Sequence, residues 1–312
     1  MEKETATTIW RTKLRSTVEG VDHGQQVQHC LDQQIVGIGW GINEADESWT
    51  LDQVVQWADA HTTDGWGHSA AMTIRRFGEQ LLVGDFVWTR DTAGRYLLCK
   101  VTGPWRFDAS SAAYDVDVHQ VRSVDWAPRP LNDLEVPGSV IRTFVGTGSS
   151  FSRVLPDGAR LLSEYLWEVL HEREPPQLDI TAKEVLTEHL DPYDVEDLIY
   201  VWMQIERGYV AFPRARARNT PAYEWSMLHR STLRRGIVQV KTGATPVDID
   251  ELLTAADAAP TDTYAYATSA NYDGDTGSLT QLITTDMLVQ FAREHDEFLP
   301  ARIRAWFALA RA

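Results

Sequence analysis

Two hydrophobic periods alternate along this chain, and the points where each starts and stops mark its elements. Residues 35–40 read as a strand that closes in Gly37-Ile38-Gly39-Trp40-Gly41. A helix follows, opened by the capping pair Thr50 and Gln53, with Leu51, Val54, Val55 and Ala58 on one face. Residues 69–78 predict a second helix. The run 83–90 predicts a strand, 91–94 a turn, and 95–101 a further strand that ends in Gly103-Pro104-Trp105-Arg106-Phe107. Alternation over 115–121 adds one more strand. Short strands wrapped with two or three helices predict a small mixed barrel.

In the middle of the chain, Leu161, Leu162, Tyr165, Leu166, Val169 and Leu170 make 157–172 an amphipathic helix. It runs into Glu172-Arg173-Glu174-Pro175-Pro176, a charged and proline-stiffened linker, so a boundary is expected near residue 176. Beyond it, Asp191 can cap a helix and Pro192 suits its first turn. Val195, Leu198, Ile199, Trp202 and Ile205 recur at helical spacing before Gly208. Residues 222–231 and 236–242 read as neighbouring strands joined through Leu233-Arg234-Arg235-Gly236. Then come a helix (248–258), strands (263–269 and 279–284) and two helices (286–295 and 301–310). The expected fold class is α+β. A first domain spans 1–155, a helix and linker 156–176, and an α/β domain with a small mixed sheet 177–312.

A length of 312 residues suits about two domains, and 43% hydrophobic residues suffice for packed cores. No apolar run approaches the ~18 residues of a membrane helix, and the acidic Met1 to Thr5 segment is no signal peptide, so a cytoplasmic protein without a membrane partner is expected. Cys30 and Cys99 make neither a disulfide framework nor a zinc site, and are expected to be reduced and buried. Gly146-Thr147-Gly148-Ser149-Ser150 lacks the lysine of a P-loop and reads as a polar turn. Asp273 and Asp275 lack the ligand spacing of a calcium loop. Charge is more telling. The chain carries −16, yet residues 207–241 hold eight Lys/Arg against the single acid Glu224, a local +7 that leaves −23 elsewhere. Such a basic field suits a polyanion better than net charge suggests.

That basic segment also holds the candidate chemistry. Strand alternation puts Gln239 and Lys241 on one side and Val238 and Val240 toward the core. The hairpin can return Glu224 to the polar side, so one carboxylate, one lysine and one neutral acceptor converge where a divalent ion can sit beside a phosphate. The alternative is an arginine-rich solvated hairpin with a core lysine.

The order Thr220-Pro221-Ala222-Tyr223-Glu224, then Val238-Gln239-Val240-Lys241-Thr242-Gly243, resembles the restriction-endonuclease-like PD-(D/E)xK nucleases in their Mrr-like branch, over residues 191–306. Glu224 stands in place of the usual aspartate, and Gln239 in place of the second acid. The resemblance implies hydrolysis of phosphodiesters with Mg²⁺, or Mn²⁺ in its stead. It implies Glu224 and Glu196, the helical acid, as metal ligands, with the Val240 carbonyl a further one. Asp197 is the fallback for Glu196, and Asp194 reads as a partner of the helix dipole. Gln239 would offer its amide oxygen, and Lys241 would stabilise the transition state or orient the attacking water. Arg214, Arg216, Arg218, Arg234 and Arg235 would hold the nucleic-acid backbone.

Eight of the twelve tryptophans, Trp10, Trp40, Trp49, Trp57, Trp66, Trp88, Trp105 and Trp126, crowd the first half. The pieces Trp10-Arg11, Gly37-Ile38-Gly39-Trp40-Gly41, Gly84-Asp85 with Trp88, and Val101-Thr102-Gly103-Pro104-Trp105 resemble the EVE domains of the PUA-like superfamily, relatives of YTH domains, over residues 8–130. The resemblance implies an aromatic cage for a base turned out of its strand, with Trp40, Trp88 and Trp105 as its walls. Each also reads as a core tryptophan. The two resemblances together imply a modification-dependent, type IV-like restriction endonuclease acting on DNA that carries a modified cytosine such as 5-methylcytosine. An RNA nuclease guided by a modified base, or a reader with an inactive nuclease domain, are the alternatives. A methyl group in an apolar pocket is worth only about 1–3 kcal/mol, so a homodimer or assembly on paired sites is expected.

Overall fold

The computed structural model describes residues 7–61, 67–145, 149–155, 157–216, 222–256 and 260–310 of the chain. The segment Met1 to Thr5, Trp66, the turn residues 146–148, Thr220, Pro221 and Arg218 lie outside the described residues. The chain divides into two compact units, Met1–Pro175 and Pro176–Ala312. Both mix helices with mixed sheets.

Unit 1 runs β1 (Ile9–Thr12), α1 (His23–Asp32), β2 (Ile35–Ile38), α2 (Leu51–His61), α3 (Gly67–Arg75), β3 (Phe86–Arg90), β4 (Tyr96–Phe107), α4 (Ser111–Val116), β5 (Gln120–Trp126), α5 (Gly138–Val145), β6 (Phe151–Arg153) and α6 (Asp157–Leu170). The expected cap of α2 is present: Gln53 Oε1 accepts the Thr50 N–H at 2.8 Å, and Val54, Val55 and Ala58 are buried. Residues 115–121 depart from the expected strand. Ser110 caps a short helix by accepting the Ala113 N–H, and Asp117 ends it in the left-handed region (φ 50°) before β5 begins. Val116 thus belongs to a helix and Val121 to a strand, so the alternation spans two elements.

The strands form one sheet in the order β2-β5-β4-β3-β1-β6, parallel only between β1 and β3. A register shift between Val101 and Trp105 bends β4. The sheet curls until Thr12 Oγ1, on β1, donates to the Gly37 carbonyl of β2 at 3.5 Å. Among the described residues no ladder joins the edge strands β2 and β6, so the expected barrel is not closed. Edges of four and three residues offer too few backbone pairs to seal it. Asp85 locks the β1 side: its carboxylate accepts the Trp10 Nε1–H at 3.0 Å and the Thr8 and Leu82 N–H groups. Gly84, at φ 96°, supplies the turn that aims it. Cys30 and Cys99 are free and buried, and burial pushes the Cys30 thiol up to about 12.

Unit 2 runs α7 (Ala182–Glu184), α8 (Pro192–Ile205), β7 (Tyr209–Arg216), β8 (Trp225–His229), β9 (Arg235–Lys241), β10 (Val247–Asp248), α9 (Ile249–Ala256), β11 (Thr261–Ala267), β12 (Tyr272–Asp273), β13 (Gln281–Leu282), α10 (Thr285–Glu294) and α11 (Ala301–Leu309). Asp191 caps α8 and Pro192 opens it, as expected, while Ile205 is exposed. The main sheet has the order β13-β11-β9-β8-β7, with β13, β11 and β9 parallel and the remainder antiparallel. Two helical layers cover it. α9 packs Ile249, Leu252 and Ala256 against Ile237, Ala265 and Ala267. α8 covers the other face, where the Tyr200 ring lies 5.8 Å from Trp225. Strand β7 had no counterpart in the hydrophobic pattern. It is an edge strand, where Pro213 is tolerated because one row of N–H groups faces away from the ladder. Among the described residues no helix is long and apolar enough to cross a membrane.

Candidate functional site

In unit 2, β9 is flanked by β11 and β8, and pairing fixes which side chains share a face. Trp225, the first residue of β8, stands opposite Val238. The Glu224 N–H donates to the Val238 carbonyl at 2.8 Å, one residue out of the register of β8 and β9, so the chain bulges there and Glu224 and Trp225 both stand against Val238. Within β9, Gln239 and Lys241 share one face. Lys241 Nζ lies 3.8 Å from Glu224 Oε1, with the two side chains 28% and 31% exposed. Gln239 is only 1% exposed, beneath them and opposite Ala265. The trio sits at the carboxyl end of the parallel pair β9 and β11, the end where ligands bind in open α/β sheets.

Carbonyl alternation brings in the backbone. The Val238 carbonyl faces β8 and the Lys241 carbonyl accepts the Thr268 N–H at 3.0 Å on the β11 side. The Val240 carbonyl therefore faces the β8 side, past Glu224. A Glu224 carboxylate, a Gln239 amide oxygen and a Val240 carbonyl are hard oxygen donors. They suit a magnesium ion that keeps several waters and takes substrate phosphate as a ligand. Among the described residues no three of His, Cys, Asp and Glu converge, so this donor set rests on one carboxylate and neutral oxygens.

Glu196 belongs to the α8 layer. It is half-buried on α8, one turn before Tyr200, whose hydroxyl donates to the Ala211 carbonyl at 3.2 Å. α8 turns directly into β7, and β7 is antiparallel to β8, so the first turns of α8 lie toward the Glu224 end of β8. The neighbouring acids do different work. Asp194 is buried and receives Arg302 Nε at 2.5 Å, while Asp197 receives another Arg302 nitrogen at 2.6 Å. Asp197 is therefore an ion-pair partner of α11, and Asp194, in the first turn of α8 as expected of a dipole partner, is buried against the same arginine. Burial pushes the Asp194 carboxyl up to about 6, against the opposing pull of Arg302.

The expected backbone-binding arginines divide. Arg234 reaches Asp262 at 2.7 Å, which also accepts the Tyr209 hydroxyl at 2.6 Å. The Arg235 guanidinium lies 5.4 Å over the Tyr223 ring. Both are thus engaged within the unit. The backbones of Arg214 and Arg216 belong to β7.

Unit 1 holds a separate cavity of about 810 Å³, walled by Trp40, Gln26, Leu14, Ile38, Thr73 and Asp117, with Lys13 and Arg15 also lining it. Trp40 is held there in the left-handed region (φ 68°), a strained state for a bulky residue. Its neighbours enforce it. A Cβ on Gly39 would meet the Asp117 carboxylate at 2.7 Å, and one on Gly41 would meet His119 Nε2 at 2.5 Å. Gln120 Nε2 donates to the Trp40 carbonyl at 3.3 Å. Burial lowers the His119 pKa, which keeps a neutral ring stacked on Phe107 under Gly41.

The other two expected cage residues are elsewhere. Trp88 is fully buried and its Nε1–H donates to Ser163 Oγ at 3.0 Å, so it is a core residue with no face for a base. Trp105 packs half-buried on the core across from Arg122, and does not line the cavity. Replacing Trp88 with Phe is expected to cost about 1–2 kcal/mol of stability, from lost volume and a lost hydrogen bond. Urea unfolding measures that loss. Gln26 and Asp117 went unnoticed in the sequence because neither sits in an aromatic or glycine-rich motif; an amide at the buried face of α1 is the only local signal.

The family model described as a domain of unknown function (DUF8426) matches residues 10–137, within unit 1. No curated protein and no solved structure matches the chain.

Proposed function

We propose that this chain is a modification-dependent endonuclease: unit 1 takes a modified cytosine, turned out of DNA, into its cavity against Trp40, and unit 2 hydrolyses phosphodiesters with Mg²⁺. The observation that carries the hydrolytic half is the placement of Lys241 Nζ 3.8 Å from Glu224, beside Gln239, at the carboxyl end of the parallel strands. Glu224, the Gln239 amide oxygen and the Val240 carbonyl would hold the ion, with Glu196 a second carboxylate from the α8 layer. Magnesium, when bound, supplies Lewis-acid polarisation of the phosphoryl oxygens. Lys241 places a positive charge where the non-bridging oxygens gain negative charge as water adds and one P–O bond breaks. The partly exposed pair leaves room for the phosphate, and the basic β7 to β9 segment supplies the attractive field. Assembly as a homodimer or on paired sites would give the discrimination that one cavity lacks.

The test is cleavage of 5-methylcytosine-containing and plain plasmids by the full chain, with Mg²⁺ or with EDTA. Cuts confined to methylated DNA with Mg²⁺ are expected. A second reading, a base reader with a silent hydrolytic centre, is favoured by the single carboxylate beside Lys241; selective binding without cleavage would establish it. Trp40→Ala is expected to weaken binding of the methylated DNA roughly 5- to 150-fold, the worth of one base stack. Trp105→Ala should leave it near the parent value. Equal affinity of the parent for methylated and plain DNA would overturn the reading role.

A further inference from the structure

The cavity of unit 1 has a chemical bias that its aromatic wall does not explain. Gln26, in α1, is 3% exposed, and its Oε1 is buried with no hydrogen-bond partner. An acceptor left in that state costs about 1–3 kcal/mol, and Gln26 is part of the cavity lining. Neighbouring hydroxyls add to the bias, because their protons are spent inside the protein. Ser16 Oγ donates to the Asp117 carboxylate at 2.5 Å, Thr73 Oγ1 to the Ser69 carbonyl at 2.8 Å, and Ser149 Oγ to the Phe151 carbonyl at 2.8 Å. Ser16 Oγ and Ser149 Oγ also accept the Val18 and Phe151 N–H groups, which leaves each one lone pair, while Thr73 Oγ1 and Asp117 add further acceptors. Lys13 and Arg15 are the cations of the lining and suit a phosphate.

We propose that Gln26, backed by Asp117, makes this cavity selective for a base bearing an exocyclic amino group and rejects thymine and uracil, an inference that rests on the base-reading role of unit 1. An amino group carries two N–H donors and can satisfy the orphaned Oε1 and a second acceptor. Thymine presents two carbonyls around a single N–H, so an acceptor would face the buried Gln26 Oε1, an atom that water does not reach. The ring methyl does not decide the matter, since Leu14, Ile38 and Ala70 offer the same apolar contact to 5-methylcytosine and thymine.

The experiment measures binding of the full chain, in EDTA, to one fluorescein-labelled duplex with a single variable base opposite guanine. That base is 5-methylcytosine, thymine, or 5-methylpyrimidin-2-one, which lacks only the amino group. The parent is expected to bind the 5-methylcytosine duplex roughly 5- to 150-fold more tightly than either other duplex, the range for one well-made base contact. The mispairs open more easily, so any bias runs against this result. Gln26→Met should bring the ratio close to one by weakening only the 5-methylcytosine complex, and Gln26→Glu, which keeps the acceptor, should preserve it. Equal binding of all three duplexes by the parent overturns the proposal, as does an unchanged ratio in Gln26→Met. Should Gln26→Met fail to fold, the pyrimidinone duplex decides with the native protein. If Trp40→Ala alters no complex, base reading itself falls; if it weakens binding while Gln26→Met keeps the ratio, only the assignment of Gln26 falls.

Discussion

Glu224→Ala and Lys241→Ala are each expected to slow cleavage of methylated DNA by about 10²–10³-fold, the loss seen when one preorganised charge-stabilising group is removed. Their affinities for that DNA, measured in EDTA, should stay near the parent value, because the proposal assigns base recognition to unit 1. The two side chains are 3.8 Å apart and in the proposed mechanism act on one phosphate, so their effects should not add. The double variant is expected to cut about as slowly as the slower single variant. Lys241→Arg should not restore the rate, since a planar guanidinium on a differently shaped stem cannot occupy the same notch beside Gln239. Single-turnover rates on a plasmid with Mg²⁺ check each point. Near-parental cleavage by either alanine variant would remove the hydrolytic assignment and leave the base-binding cavity standing by itself.

The same residues show where sequence is a good guide. The approach of Glu224 to Lys241 was legible because a tight hairpin joins their strands and period two puts Gln239 and Lys241 on one face, whereas the bulge at Glu224 left no mark in the sequence. The cap of α8 at Asp191 and the capping box of α2 were legible for a similar reason, as each lies within four residues of its partner. The tryptophans were not. Trp88 and Trp40 both follow β-like runs, and only long-range packing sends one to Ser163 of α6 and the other to a cavity wall. Nothing near Trp88 in sequence announces a partner 75 residues away. Residues 115–121 misled for a local reason, since a left-handed Asp117 joins a helix to a strand while preserving the apolar spacing. The partner of the α8 acids was not legible because a helical face alone cannot reveal that Arg302, over a hundred residues on, claims Asp194 and Asp197.

Removing that arginine should have the largest effect on stability. Arg302→Met is expected to destabilise unit 2 by about 3–5 kcal/mol near pH 8, because it strands a buried carboxylate whose partner cannot be replaced by water. Arg302 and Asp194 side chains are 7% and 2% exposed, so solvent screening offers little relief. The pH dependence has a definite sign. Burial holds the Asp194 carboxyl at about 6, above its unfolded value of 3.8, so the folded state binds the proton more tightly. Stability from this group therefore falls as pH rises from 3.8 to about 6 and stays low above that window. Loss of Arg302 removes the attraction that opposes burial, which moves the folded pKa higher still. At pH 5 the stranded Asp194 is then protonated and neutral, and the penalty of Arg302→Met should shrink. Urea unfolding at pH 5 and pH 8 measures both values; a penalty equal at the two would mean that Asp194 is not the stranded charge. Asp197 would be freed in the same variant, and Glu196 lies beside it on α8. A fall in cleavage rate without a fall in folded fraction at pH 8 would then tie the seating of α8, and with it Glu196, to the Glu224 end of the sheet.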